Sequence, residues 1–229
     1  MNVDRPTIKI AGAAILAPLT IILQALPPIF LTPWGMQIDI VALPWMICWI
    51  ILGLKPALLC LLISAPLVGF VGPFAGGAIG ATMKPLASIW MFLIPAIFAW
   101  KLGGTKQLLE NKRFFVLAGV LALIVRAVVT VLANFYFALP IFFNMTPDVI
   151  IGMFSSPENM SFFGNSLGVI GLGAYIVEVA FWNTIQGIID LVAGMMIGII
   201  IFRRIPWLTH KPTNKLKRPS LQFFYAKRF

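Results

Sequence analysis

Three side chains on one apolar stretch are the first candidates for chemistry. In GVIGLGAYIVEVAFWNTIQGIIDLVAGMMIGIIIFRR, residues 168–204, Asn183, Gln186 and Asp190 are spaced i, i+3 and i+7. At about 100° per residue they share one helix face. Polar groups in hydrocarbon are expensive, so this stripe must face protein or a cavity and not lipid. Two readings are open: a hydrogen-bond network that ties helices together, or a ligand face.

Asp190 has a natural partner. Arg126 lies 13 residues after Arg113 on a helix expected to run outward, and Asp190 lies 13 before Arg203 on one expected to run inward. A constant helical rise puts both at mid-span. Either charge alone would be very costly there, so a structural Arg126–Asp190 ion pair is predicted. Asn134, Asn183 and Gln186 fall in the outer halves of their helices. Amides carry donor and acceptor together, which suits a neutral heterocycle with C=O and N–H groups. A carboxylate ligand would call for a forked Arg instead. Trp45, Trp182, Phe135, Tyr136 and Phe181 are candidate cavity walls, and each also reads as ordinary packing. Lys84 either snorkels to the interface or contacts ligand. Asp39 either caps the second span or joins the ligand site. Glu178 lies off the Asn183 face and receives no role.

Other chemistries find no support. Cys48 and Cys60 lie in apolar runs without a CxxC and without paired His, so neither a metal site nor a disulfide framework is expected. The patterns GxxxxGK[ST], HExxH and GxSxG are absent. No catalytic residue is predicted, the chain is not expected to be an enzyme, and ATP is not bound through such a loop. No internal repeat is visible.

The elements that position these residues follow from composition. Of 229 residues, 60% are hydrophobic and 10% charged, too little polar surface to cover a water-soluble core. An all-α integral membrane fold is predicted, a compact bundle of six transmembrane helices at 8–27, 38–54, 57–72, 81–101, 114–139 and 168–202. The start of the chain is too polar for a removed signal peptide, so the first helix is expected to be retained. The connector 141–167 reads as an ordered loop with a short interfacial helix.

The net charge of +10 has a topological explanation. With six spans, Lys and Arg fall on the side of both termini, and the loops near 28–37, 73–80 and 140–167 have none. Both termini are therefore expected to be cytoplasmic. Residues 1–203 form the membrane domain and 204–229 a basic cytoplasmic tail. That tail faces the lipid bilayer surface, and no nucleic-acid partner is expected.

These segments together resemble the substrate-binding S components of energy-coupling factor (ECF) vitamin transporters, above all the riboflavin-specific type. The likeness runs from the first span to the sixth. It rests on AGAAILA, on MQIDIVALPWMICWIILGLKPAL, on RAVVTVLANFYFALP and on FWNTIQGIID. The resemblance implies that Asn134 and Asn183 correspond to amides that hold a flavin ring. Gln186 stands where that type usually carries Lys, which keeps hydrogen bonding but drops a charge. This leaves the vitamin open between riboflavin and another vitamin or heterocycle. Ala13 and Ala17 resemble the AxxxA pair that docks on the coupling subunit. The resemblance further implies a prokaryotic cell-membrane protein with no cofactor, riboflavin as transported ligand, and as partners a transmembrane coupling subunit with two ATPase subunits. The S component would topple in the membrane to release its vitamin inside. Two other classes compete: an intramembrane enzyme built on Glu178, Asp190 and Arg126, and a purely structural subunit of a membrane complex.

Overall fold

The computed structural model describes residues 5–32, 36–73, 75–156 and 168–205. The expected basic tail beyond residue 205, and Pro157 and Glu158 of the connector, lie outside the described residues. The chain is mostly helical. Among the described residues, four stretches are long and apolar enough to cross a membrane: Pro6–Ala25, Gly77–Leu102, Lys112–Phe143 and Gly171–Arg204. Their outward faces carry large exposed apolar side chains such as Ile15, Trp100, Val116 and Ile200.

Helix α1 (Pro6–Ala25) begins with Pro6 in its first turn, where a missing N–H is harmless. It leads into a two-stranded antiparallel hairpin, β1 (Phe30–Leu31) and β2 (Gln37–Ile38), with Phe30 opposite Ile38. The second expected span therefore starts late. Ile38 is in a strand, and α2 occupies only Leu43–Leu52. Gly53, at φ 95°, then breaks the helix in a conformation that an L side chain adopts only with strain. Helix α3 follows at once over Leu54–Val68. At 10 and 15 residues, α2 and α3 fall short of the ~20 that a straight crossing needs.

The fourth expected span is two helices in series, α4 (Gly77–Ser88) and α5 (Trp90–Leu102), each with an internal proline, Pro85 and Pro95. A short α6 (Thr105–Glu110) turns the chain into α7 (Lys112–Ala133). The fifth expected span, 114–139, stops just before Pro140, yet the helical course continues past it. A π turn over Asn134–Ala138, closed by Leu139 N–H donating to Asn134 O, connects α7 to α8 (Leu139–Phe143). Pro140 sits in the first turn of α8, so its lack of an N–H breaks no ladder. Helix α9 (Pro147–Ser155) is the short helix anticipated in the connector, and α10 (Gly171–Arg204) is the longest element described.

Helix α10 packs on α7 and α2; α1 packs on α3 and α2; α4 links α3 to α7. Gly187 lets α10 and α7 approach closely, since a Cβ there would meet Leu123 Cδ2 at 2.5 Å. The turn between α3 and α4 is equally tight. Gly77 N–H donates to Gly69 O at 2.7 Å, and a Cβ on Gly69 would collide with that same neighbour.

The expectation for Ala13 and Ala17 is corrected here. Both are fully buried in the core that α1 forms with α2 and α3. The exposed face of α1 is instead Ile10, Ile15, Leu19 and Ile22. Small residues four apart do allow close helix approach, but the partner is this chain's own bundle and not a second subunit.

Candidate functional site

A cavity of about 280 Å³ opens between α4, α7, α10 and the hairpin. That is close to the lower end of the range for small-molecule sites, roughly 300–1,000 Å³. Asp39, Lys84, Asn134, Trp182, Asn183 and Gln186 all line it. Six side chains chosen from four distant parts of the sequence are thus brought to one place.

Trp45 is not among them, which corrects its assignment as a wall. It is fully buried, and its indole N–H donates to Ser64 Oγ at 2.8 Å. Ser64 in turn donates to Cys60 O at 2.8 Å. An indole is buried readily when its one donor is satisfied, and here that fixes α2 against α3. Tyr136 points outward at 64% exposure, and Phe135 packs with Phe154 and Tyr175.

The deepest part of the site is the ion pair. Arg126 Nη1 donates to Asp190 Oδ2 at 3.0 Å, with both side chains almost fully buried. Arg126 Nε also reaches Asn183 Oδ1 at 3.4 Å. The pair is therefore joined to the amide stripe and is not a separate layer beneath it.

Gln186 is the hub. Its Oε1 accepts from Asp39 N–H at 2.9 Å. Its Nε2 donates to Asp39 O at 2.7 Å and to Asp190 Oδ1 at 2.9 Å. Both of its donors are engaged by protein. In this geometry it holds the turn before α2 against α10 while it also lines the cavity.

Asp39 does not cap α2. That helix begins at Leu43 with Ala42 as N-cap and no side-chain cap. Asp39 Oδ1 accepts from Val41 N–H at 3.0 Å, a local turn bond, and Oδ2 pairs with Lys84 at 2.5 Å. Lys84 neither snorkels nor reaches freely into the cavity. Its ammonium also donates to Gln24 Oε1 at 2.5 Å and Gln37 Oε1 at 3.1 Å, so three acceptors take its three protons. It thereby ties α1, β2 and α4 together.

What remains open to a ligand is smaller than the lining suggests. Asn134 donates to Thr130 O at 2.7 Å, but its Oδ1 has no protein partner among the described residues. Asn183 donates to Val179 O at 2.9 Å, and its other contacts are the long ones to Arg126 and to Met36 Sδ at 3.6 Å. Long bonds are weak and easily exchanged for better ones. Ser88 lines the cavity with a hydroxyl that has no partner among the described residues.

Several lining residues went unrecognised in the sequence: Gln24, Gln37, Ser88, Tyr175 and Glu178. For α10 the signal was present. Tyr175, Glu178, Val179, Trp182, Asn183 and Gln186 recur at helical spacing, and at about 100° per residue they form a stripe roughly 140° wide and not a single line. Glu178 belongs to it, and Trp182 Nε1 donates to Glu178 Oε1 at 2.5 Å. No comparable signal marks Gln24, whose cavity neighbour Lys84 is 60 residues away.

The described residues contain no group of three His, Cys, Asp or Glu side chains able to hold a metal ion. Beyond its own geometry the chain offers no outside guide: no family model, curated protein or solved structure matches it.

Proposed function

We propose that this chain is the substrate-capture subunit of an ECF-type vitamin importer in a prokaryotic cell membrane, with riboflavin as its leading ligand. In this reading all six apolar segments lie in the bilayer and both termini are cytoplasmic, which the distribution of Lys and Arg supports. The observation that carries the proposal is a half-open cavity, mostly apolar in its wall but lined by Asn134, Asn183, Gln186 and Lys84, set among helices whose outer faces are apolar. Polar side chains at such depth are a functional site by default. Asn134 and Asn183 retain hydrogen-bonding capacity directed at a neutral heterocycle, and Trp182 and Tyr175 supply aromatic walls.

Coupled uptake in this reading also needs a transmembrane coupling subunit and two ATPase subunits. Because Ala13 and Ala17 are buried, their docking surface is a different face of the bundle.

A second reading within the same class is a different vitamin or heterocycle. It is favoured by Gln186, whose donors are already taken by Asp39 and Asp190. The deciding experiment is purification in detergent, followed by ligand extraction with mass spectrometry and titration with riboflavin. A yellow protein that releases flavin is the expected result. A colourless, folded protein that fails to bind added riboflavin sinks the flavin reading, and the mass of any other extracted heterocycle names the replacement.

A further inference from the structure

Three carboxylates lie in or directly behind the cavity wall, and two of them are matched. Asp39 pairs with Lys84 at 2.5 Å and Asp190 with Arg126 at 3.0 Å. Glu178 is not matched. It lines the cavity, is only 6% exposed, and has no cation within ion-pair distance among the described residues. Its described partner is a single neutral donor, the Trp182 indole N–H. Two cations against three carboxylates leave the site with one negative charge in excess, located at Glu178.

A buried charge with one neutral hydrogen bond is poorly compensated. The cavity-facing groups left over do not offset this charge: Asn134 Oδ1 is an acceptor, the Ser88 hydroxyl is neutral, and the Lys84 donors are all taken. A ligand that brings hydroxyl or cationic N–H groups supplies what this wall lacks. A phosphomonoester brings between one and two further negative charges and acceptor oxygens, which the wall repels.

We infer that the cavity takes an unphosphorylated ligand that presents hydroxyl or cationic N–H donors to Glu178, and that this carboxylate turns away the phosphorylated form of the same molecule. The inference rests on the small-heterocycle reading above and deepens it to a rule of selection. Glu178 acts here as a specificity residue.

The test uses the full chain in detergent, as wild type and Glu178→Gln, with Glu178→Ala in reserve should the first variant not fold. Cooperative thermal melts establish folding. Calorimetric titration then compares two pairs of probes: riboflavin with flavin mononucleotide, and thiamine with thiamine monophosphate. Wild type should prefer the unphosphorylated member of whichever pair binds by on the order of tenfold, the effect of unit charges roughly 10 Å apart at an effective dielectric of about 20. The variant should bring that ratio down to about threefold or less as this repulsion is removed. Equal affinity for both members in wild type, or a ratio unchanged in the folded variant, overturns the inference. Binding confined to the thiamine pair, with the ratio reduced in the variant, upholds it while overturning the flavin reading. Flavin mononucleotide bound as tightly as riboflavin does the reverse. A folded wild type that takes neither pair overturns both.

Discussion

Gln186 grips Asp39 by its main chain. The amide oxygen takes the Asp39 N–H at 2.9 Å while the amide nitrogen gives to the Asp39 carbonyl at 2.7 Å, as a neighbouring strand would. The Asp39 carboxylate is thereby left to Lys84 and to Val41 N–H. Through this contact one continuous set of bonds joins Arg126 and Asp190 to the hairpin, across 147 positions of sequence. The site is organised by side chains that hold backbone, and its ligand-facing groups are the few left over.

Replacing Gln186 by Leu should therefore act on stability first. It strands a buried N–H and a buried C=O of Asp39 and removes a hydrogen bond from Asp190. Each unsatisfied buried group costs about 1–3 kcal/mol. We expect a lower melting temperature in detergent, with ligand affinity falling as a consequence. If the variant melts like wild type but loses affinity, Gln186 is a direct ligand contact and the positioning role is wrong.

The Arg126–Asp190 pair makes a different prediction. Removing one partner leaves the other as a lone buried charge, at a cost of about 3–5 kcal/mol. Replacing both by apolar residues of similar volume removes the charge problem altogether. Arg126→Met with Asp190→Leu should thus recover much of the folded yield that either single variant loses. Arg126 also touches Asn183 at 3.4 Å, so the double variant should fold yet bind ligand less well. Strictly additive losses in folded yield would rule the pair out as a structural unit.

These cases show which parts of the molecule the sequence could reveal. Arg126 and Asp190 were legible because opposite charges at equal depth have to meet. The face of α10 was legible because 3.6-residue periodicity is a local property. The Lys84 cluster was not: its partners Gln24, Gln37 and Asp39 lie 45 to 60 residues away, and nothing local marks them. The short α2 and α3 were hidden for another reason. Hydropathy sees one apolar run in 38–54, but Pro44 fixes where a helix can begin and Gly53 where it must break. The π turn at Asn134 escaped notice because proline is read as a terminator, whereas here it opens the next short helix. Ala13 and Ala17 announced close approach correctly but could not say to what.

That last ambiguity yields the sharpest mutational contrast. If Ala13 belonged to an open docking face, a large side chain there would spare folding and ligand binding and abolish only coupled uptake. Its complete burial among α1, α2 and α3 requires otherwise. The neighbouring Gly12 is equally constrained, because a Cβ there would run into Leu52 Cδ1. A Trp at position 13 has no space to occupy, and overpacking a filled core costs about 1–3 kcal/mol and often more. Ala13→Trp should therefore lower the melting temperature of the isolated chain and reduce its folded yield before any partner is present. Ile15, two residues on and 73% exposed, is the matched control, since Ile15→Trp should leave both unchanged. An Ala13→Trp protein that melts like wild type and still binds ligand would show that this face of α1 is open, and would return it to the list of surfaces on which a coupling subunit can dock.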